Sequence, residues 1–583
     1  MRRRLPLLVL STLAVLLSTG PAGGALGAQS LGTALVPGPR GITPLQYAAL
    51  AREAGERLER EEWELAAEAY ARLTAAYPWD GETWRRLGTA RYRAGDFRGA
   101  APAFARADAL GVSPYPTTNA ALAAESYARS GQPDSALAWL ERAVLVHRLE
   151  WVGELLQDSA FHALRGHPRF QALMPPPADS TAPRESGWRA DVDYLLASIR
   201  RFRPEYAGGR PLPDSILRAA ARVKERVGAL TDAQVAVELQ KLVSLLGRGH
   251  TGVGFRGDLP ARLGRTGGLP LVFHLFPEGV LVVNADSAHR ALVGARVVAV
   301  DGVPVERVLR AIEPLVQSDE GESFRLNAPE VLRTPHVLHA LGIAREPGRV
   351  RLGVEDAAGR AREVEVASSE APVARTLLPP PGAPTPPPLS MSRPGEWYWF
   401  EPLAADSAVY VNFSRTFPQE GRENLAEFGL RLRRWLAEHP GTRGVVVDVR
   451  RNTGGNTYLY PELLRTLIAH DAREGARLFV LVGRNTGSAA MNFVVELDRL
   501  TNAVFVGEPT GAQPRQHGDP AVLVLPYSGL PLYLSTVEWS LTSPRDARRW
   551  IAPDVPVALT ADDYRANRDP VLDTVLELIR QGR

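Results

Sequence analysis

Two uninterrupted apolar runs in the C-terminal third of the chain each end in a turn rich in Gly, Asn and Thr. The run Val445–Val449 leads into a turn that closes on Gly455, and the run Leu478–Val482 leads into the turn Gly483–Ala490. Aliphatic runs of this length predict strands buried on both faces. Apolar residues then recur at helical spacing, which predicts a helix over 488–500 that begins at a serine.

Strands and helices alternate through the whole C-terminal third. An apolar segment at 408–413 is followed by helical patterns near 424–438 and 460–470, on either side of the first apolar run. Such alternation favours parallel strands joined by crossover helices. Ligands and catalytic groups gather where parallel strands end, so the two turns are the first place to look for chemistry.

The N-terminal third repeats a different pattern, with a period of about 34 residues. The matching positions are Trp63, Ala66, Tyr70 and Leu73, then Phe97, Ala100, Phe104 and Ala107, then Ala136, Leu140 and Ala143. Gly95 and Gly131 are placed as tight turns between paired helices. The pattern resembles tetratricopeptide repeats, and 161–174 resembles the helix that closes such arrays. The resemblance implies a concave surface for a peptide or protein partner, and a helical bundle that acts as a spacer is the alternative.

The composition between these regions indicates two linkers and a β-rich module. We predict these parts: a signal peptide at 1–28, helical repeats at 41–174, a Pro/Ser linker at 175–187, a helical segment at 188–262, a β-rich domain at 264–375, a Pro-rich linker at 376–396 and a catalytic domain at 397–583. The segment 279–309, with its Asp301-Gly302 hairpin turn, resembles part of a PDZ domain. That resemblance implies peptide capture at a sheet edge, and a strand-rich packing module is the alternative.

The N-terminus carries the pattern of an export signal. Three arginines precede an apolar stretch, Leu5–Leu17, and Gly/Pro/Ala-rich residues up to Ala28. We therefore expect a periplasmic or extracellular protein, with an uncleaved anchor as the alternative and no other membrane span. The net charge of +3 comes from these arginines, since residues 1–28 hold three Arg and no acid (+3 − 3 = 0). Nothing in this charge pattern predicts nucleic-acid binding.

The chain contains no cysteine. This excludes disulfides, a thiol nucleophile and cysteine-based zinc sites. No other residue pattern calls for a cofactor or a metal, so none is predicted.

Three motifs in order resemble the tail-specific (C-terminal-processing) serine protease family and its tricorn-core-like relatives. They are Asp448-Val-Arg450-Arg-Asn452-Thr-Gly454-Gly455, Thr486-Gly-Ser488-Ala489-Ala490 and Gly507-Glu-Pro-Thr510-Gly511. The likeness runs from about Gly187 to the C-terminus and implies a ββα superhelix of the crotonase- and ClpP-like kind. It further implies that Ser488 is the nucleophile, and that the amides of Ala489 and of Gly454 or Gly455 form the oxyanion hole. The plainer alternative is a strand-to-helix turn with an N-cap serine.

A serine hydroxyl needs a base, and the chain departs from the family here. Gln513 stands where the family has its catalytic lysine, and the two lysines of the chain, Lys224 and Lys241, lie in the preceding helical region. Histidine suits the task because its ordinary pKa is near neutrality. His250 is our candidate, because LLGRGHTGVGF resembles the D-G-H-T segment of tricorn-like members, with Arg-Gly in place of Asp-Gly. His517 is the alternative.

The acid that orients the base is the third predicted member of the site. Asp546 is the nearest match to the acid that the family carries before its terminal Pro-Asp, with Glu538 and Asp519 as alternatives. Met491 stands where the family often has glutamate. The sequence thus predicts an exported serine peptidase. A non-catalytic binding protein on the same scaffold, or an esterase, is the alternative.

Overall fold

The structure is a computed structural model that describes residues 41–111, 116–147, 156–173, 179–247, 249–254, 267–316, 322–371 and 373–582. The predicted signal segment 1–28 lies outside these residues. The described chain divides into two compact units, the first comprising residues up to Ala143 together with Ser159–His167, and the second comprising the rest. No helix within the described ranges combines the length and apolar character that a bilayer span requires.

The first unit is built from consecutive helices, each packed against the next. Their bounds are α1 Pro44–Glu59, α2 Trp63–Ala76, α3 Gly81–Arg93, α4 Phe97–Ala109, α5 Pro116–Arg129 and α6 Pro133–Glu141. The repeated positions Ala66, Tyr70 and Phe104 are buried, as the period predicts. A Cβ at Gly88 would lie 2.8 Å from the Phe104 ring, so the small residue lets α3 and α4 approach closely. The helical pattern is confirmed, whereas the assignment to tetratricopeptide repeats stays a prediction.

The second unit opens with helices that deliver His250. They are α7 Pro168–Gln171, α8 Arg184–Phe202, α9 Asp214–Arg226 and α10 Asp232–Ser244, followed by strand β1 Gly252–Val253. Helix α10 starts at the predicted capping box, in which Gln234 N donates to Thr231 Oγ1 at 3.3 Å and Thr231 N donates to Gln234 Oε1 at 3.0 Å. Helix α8 begins four residues before the predicted Trp188, so the end of the expected linker is already helical.

The β-rich module is a sheet with strand order β2-β3-β4-β6-β7, with β5 paired to β4. The bounds are β2 Leu271–Phe276, β3 Gly279–Ala285, β4 Arg296–Val300, β5 Val303–Pro304, β6 Arg349–Glu355 and β7 Ala361–Ala367, with helices α11 Val305–Ile312, α12 Ser323–Leu332 and α13 Pro335–Ala340. Asp301 and Gly302 both have positive φ, +48° and +82°, as a type I′ hairpin turn requires. The predicted turn is confirmed, and the PDZ likeness stays a prediction.

The largest C-terminal sheet has the order β15-β12-β11-β10-β9-β8, and all its pairs are parallel except β8 with β9. Its strands are β8 Tyr398–Leu403, β9 Ala408–Phe413, β10 Gly444–Asp448, β11 Arg477–Val482, β12 Val504–Gly507 and β15 Val555–Pro556. The helices of this region are α14 Leu425–Glu438, α15 Pro461–Asp471, α16 Ala489–Leu500, α17 Ala561–Arg565 and α18 Pro570–Arg580. Both predicted strands and the predicted helix after the serine are confirmed.

The register of this sheet brings the two motif turns together. Asp448 is paired with Leu481, so β10 and β11 end side by side and their turns leave from the same edge. Apolar residues of α14, α15 and α16 form one buried cluster with the sheet, whereas Val571 and Val575 of α18 belong to a separate cluster that includes Val446 and Leu481. Alternate residues of each strand thus enter different clusters, which is why the apolar runs are uninterrupted.

A long hairpin, β13 Arg515–Val524 with β14 Pro531–Ser540, connects the helical segment to this sheet. Strand β1 pairs with β14, so that Gly252 lies opposite Tyr533. At the hairpin tip, the buried Asp191 of α8 accepts the amides of Tyr527 and Ser528 at 2.7 and 2.9 Å. The hairpin therefore binds α8 and β1, which lie more than 250 positions earlier in the chain. These contacts also fix the position of the loop that carries His250.

Candidate active site

Ser488 stands in a strained turn between β11 and α16. Its φ and ψ are +51° and −129°, a conformation that few residues other than glycine adopt. The Gln516 side chain holds it there: Ser488 N donates to Gln516 Oε1 at 3.0 Å, and Gln516 Nε2 donates to Ser488 O at 2.6 Å. Gln516 Nε2 also lies 3.0 Å from Asn492 Oδ1 on α16. The serine is thus presented in a fixed, energetically costly geometry, as nucleophiles often are.

The glycine turn after β10 lies directly against the serine side chain. A Cβ placed on Gly454 would fall 2.4 Å from Ser488 Cβ, 2.9 Å from Ser488 Oγ and 2.8 Å from Ala489 N. Only glycine allows this approach, and the positive φ of Gly454, +105°, favours glycine too. The structure therefore brings together the four residues Gly454, Gly455, Ser488 and Ala489, as the sequence predicts.

The amides of Gly454 and Gly455 differ in their hydrogen bonding. Gly454 N donates to Asn452 Oδ1 at 2.9 Å, so its proton is already committed within the turn. In contrast, no hydrogen bond among the described residues uses the amide of Gly455 or that of Ala489. Ala489 N is also the first amide of α16, where the helix favours negative charge. Of the two alternatives, Gly455 is the one whose amide is not used by a hydrogen bond among the described residues.

Residues of the second and third motifs hold the serine turn in place. Thr486 Oγ1 donates to Val449 O at 3.0 Å and accepts from Gly483 N at 3.1 Å, which connects the serine turn to the end of β10. Gly511 packs against the same turn, where a Cβ would meet Arg484 O at 1.8 Å. These motif residues therefore shape the backbone around Ser488 and take no direct part in proton transfer.

Asp448 and Arg450 form a buried charge network behind the turns. Arg450 contacts Asp448 at 2.6 Å and Asp569 at 2.7 Å, and the Tyr410 hydroxyl donates to Asp448 at 2.7 Å. Burial opposes ionisation of Asp569, yet the Arg450 guanidinium keeps the pKa of that carboxyl below its ordinary value. The network fastens the β10 turn to the start of α18.

His250 is exposed and lies on a loop that is fastened on both sides. Ser535 of β14 donates to Gly249 O at 2.5 Å and lies 3.0 Å from Thr251 Oγ1. The His250 ring places Nδ1 3.0 Å from His517 O. A carbonyl oxygen only accepts hydrogen bonds, so Nδ1 carries the proton and Nε2 of the neutral ring is left as a proton acceptor.

Strand β13 brings this histidine to the neighbourhood of the serine. Successive side chains of a strand point to opposite faces. Gln516 faces Ser488, whereas the buried His517 ring lies 3.6 Å from Glu205 Oε1 on the other face. The alternative base His517 is therefore turned away, and its carbonyl orients His250. No hydrogen bond among the described residues connects the Ser488 hydroxyl with His250. Both residues contact β13, Ser488 through the Gln516 side chain and His250 through the His517 carbonyl.

Two of the three predicted acids, Asp546 and Glu538, form ion pairs with arginines. Asp546 pairs with Arg548, which also pairs with Asp498, ten residues and about 15 Å along α16 from Ser488. The prediction that Asp546 orients His250 is therefore not supported by the structure. The loop after β14 carries Asp546 to the far end of α16 instead. Glu538 pairs with Arg515.

Asp519 is the predicted acid on whose pKa the charge of His250 acts. It lies within β13 with φ +49° and accepts a hydrogen bond from Trp539 Nε1 at 2.6 Å. Burial raises the pKa of Asp519 above its ordinary value, while the Trp539 bond and the charge of His250 act in the opposite direction. Sequence reasoning missed the role of Gln516 altogether, and it named Asp519 only as an alternative. The one sequence signal available was their position within three residues of His517.

Comparison with known proteins supports the fold. No protein-family model and no curated protein matches the chain. Two solved structures described as mature CPAF match, one of them complexed with lactacystin, at 14% and 15% sequence identity and TM-scores of 0.51 and 0.50. Each covers 68% of this chain, and 99% and 98% of the CPAF chains respectively. A photosystem II D1 C-terminal processing protease matches over 65% of this chain and 96% of its own, at 15% identity and a TM-score of 0.33. About two-thirds of this chain therefore has the CPAF fold.

Proposed function

We propose that this chain, which shares the fold of mature CPAF over about two-thirds of its length, is an exported serine peptidase that cleaves peptides or proteins. One observation carries the proposal. The hydroxyl of Ser488 stands beside the Gly454 turn and the Ala489 amide, in a strained backbone at the N-terminus of a helix. This arrangement can stabilise the negative charge that develops on a carbonyl oxygen under attack.

The reaction follows from the placement of donors and acceptors. Ser488 Oγ attacks the scissile carbonyl while His250 Nε2 takes its proton, and the same nitrogen then protonates the leaving amine. The amides of Ala489 and Gly455 hold the oxyanion. The negative charge of Asp519 favours the imidazolium that forms. Water then attacks the carbonyl of the acyl group while His250 Nε2 takes its proton, and this proton passes to Ser488 Oγ as the acid product leaves.

His250 must come into hydrogen-bonding reach of Ser488 during this cycle. Catalytic hydrogen bonds are often long in a resting enzyme and shorten when substrate is bound. The loop that carries His250 is held by Ser535 and by the pairing of β1 with β14, whereas the ring itself is exposed. We therefore assign the closing movement to the side chain of His250.

The other modules supply recognition in this proposal. The helical repeats of the first unit recruit a protein partner, and the PDZ-like sheet captures a peptide segment at its edge. The N-terminal export signal places this activity in the periplasm or outside the cell. One of the CPAF structures contains lactacystin, so we expect lactacystin to bind at Ser488 here.

A specific observation favours one rival function. Gln513 replaces the family lysine, and Ser488 and His250 share no hydrogen bond among the described residues, so a binding protein on the protease scaffold is the second candidate. An esterase that uses the same serine is the third.

Labelling with a fluorophosphonate probe separates these candidates. We expect the wild-type chain to be labelled, Ser488→Ala to be unlabelled, and His250→Gln to react about 10²- to 10⁴-fold more slowly. His439→Gln changes an exposed histidine that stacks on Trp435, and it serves as the matched control. An unlabelled wild type, with the variants folded, would establish the binding protein. Labelling together with hydrolysis of esters but not of peptides would establish the esterase.

A further inference from the structure

A cavity of about 120 Å³ lies behind the two motif turns, at the carboxyl ends of the parallel strands. Its wall includes Arg450 and Arg451 of one turn and Gly483–Asn485 of the other. Much of the remaining wall is apolar and comprises Leu377, Met391, Val482, Val557, Leu559 and Val571. The crevice at this edge of an open parallel sheet is where ligands usually bind, yet the proposed hydrolysis makes no use of it.

Arg451 gives the cavity a charge that no acid pairs directly, although the charge of Asp448 acts on it. No ion pair among the described residues includes its guanidinium, and its one hydrogen bond is donated by Nη1 to Ser390 O at 2.7 Å. Burial lowers the pKa of Arg451 from its ordinary value, which reflects the cost of keeping this charge away from water. A guanidinium carries five N–H donors, so four of them remain for an acceptor.

The neighbouring arginines of the wall are already neutralised. Arg450 is held by Asp448 and Asp569, Arg484 contacts Glu508 at 2.7 Å, and Arg568 contacts Asp563 at 2.6 Å. Arg451 is thus the arginine of this wall that forms no ion pair among the described residues. A bound carboxylate would give Arg451 the direct ion pair that each of these neighbours already has.

His274 supplies a second polar group in the same wall. Burial and the nearby Arg484 and Arg325 lower the pKa of His274 to about 3, so the ring is neutral at physiological pH. Its ring lies 4.5 Å from the Phe276 ring, and no hydrogen bond among the described residues uses either ring nitrogen. A neutral imidazole offers one donor and one acceptor, which suits it to a polar ligand atom.

We propose that this cavity is a second binding site, for a carboxylate attached to a small apolar group, in which Arg451 holds the carboxylate and the aliphatic wall encloses the apolar part. A cavity of about 150 Å³ holds benzene in other proteins, so the apolar part is about the size of one ring or a short branched chain. The carboxylate comes either from a free small acid or from the C-terminus of a peptide. The site is separate from Ser488, and it stands whether or not the chain hydrolyses peptides.

Calorimetric titration of the full chain carrying Ser488→Ala tests the site without interference from turnover. We expect benzoate to bind with a Kd on the order of 0.1 to 1 mM, and benzamide, which has the same shape without the charge, to bind at least tenfold more weakly. Arg451→Gln should weaken benzoate binding at least tenfold. Arg434→Gln, which removes an exposed arginine of α14, should leave it unchanged.

A second titration identifies the source of the carboxylate. An acetylated Gly-Gly-Phe peptide is compared with its C-terminal amide: tighter binding of the acid peptide than of benzoate indicates a chain terminus, and the reverse indicates a free small acid. The proposal is overturned if neither carboxylate binds below about 10 mM, if benzamide binds as well as benzoate, or if Arg451→Gln binds both carboxylates as well as Arg434→Gln does while melting at the same temperature.

Discussion

Replacement of Gly454 by alanine is the sharpest test of how the serine is positioned. The added Cβ would lie 2.4 Å from Ser488 Cβ, whereas non-bonded carbons are ordinarily about 3.5 to 4.0 Å apart. The serine or the turn must therefore move by about 1 Å. A displacement of this size at a reacting group costs about 10²-fold in rate, which corresponds to about 2.7 kcal/mol in the activation free energy.

Gly475→Ala provides the matched control for backbone strain. Gly475 also has positive φ, +73°, but a Cβ there would meet nothing within 4 Å. Gly475→Ala should lose about 1 to 2 kcal/mol of unfolding free energy because an L-residue is forced into the left-handed region, and Gly454→Ala should lose at least as much because its Cβ also clashes. Only Gly454→Ala should also lose about 10²-fold in the rate of fluorophosphonate labelling.

The assay combines labelling rates with urea unfolding on the same preparations. Unfolding curves identify the fraction that is folded, so the labelling rate is expressed per folded molecule. The reasoning about the glycine turn is refuted if the two variants are labelled at rates within about threefold of each other. In that event the approach of Gly454 to Ser488 would be a packing feature without influence on the hydroxyl.

The remaining predictions concern the charged groups around the site. Asp519→Asn should lower kcat/KM about 10- to 100-fold, whereas Asp546→Asn should change it less than twofold; equal losses would contradict our choice of acid. Hydrogen bonds from Arg548 lower the pKa of Asp546 to about 2. This stabilisation is present above the unfolded pKa of about 4 and is lost as pH falls through about 2, and after allowance for solvent screening it amounts to about 1 kcal/mol. Acid unfolding between pH 4 and 2 should thus be steeper for wild type than for Asp546→Asn, and superimposable curves would count against this. Arg450→Gln leaves Asp448 and Asp569 buried without their partner, so we expect a loss of about 3 to 5 kcal/mol in urea unfolding, and a loss below 1 kcal/mol would show that the network is not needed for stability.

The sequence by itself determined the elements around Ser488. The apolar runs became β10 and β11, and the helix after the serine became α16, because long-range packing here agrees with local periodicity. The two glycines could be paired with the serine through the family resemblance alone, and the register of β10 on β11 is the physical reason that they meet. Local periodicity and tertiary packing agree at these positions.

Only the tertiary structure decided which groups complete the site. Asp519 lies within β13 and Asp546 in the loop after β14, and nothing local in the sequence marks either one as the acid of the site. In the fold the charge of His250 acts on Asp519, while Asp546 pairs with Arg548. Likewise, the alternation of β13 turns Gln516 toward Ser488 and the His517 ring away. These assignments depend on the register of the β13–β14 hairpin and on the pairing of β1 with β14. The second pairing joins residues more than 250 positions apart, so the packed fold as a whole sets its geometry.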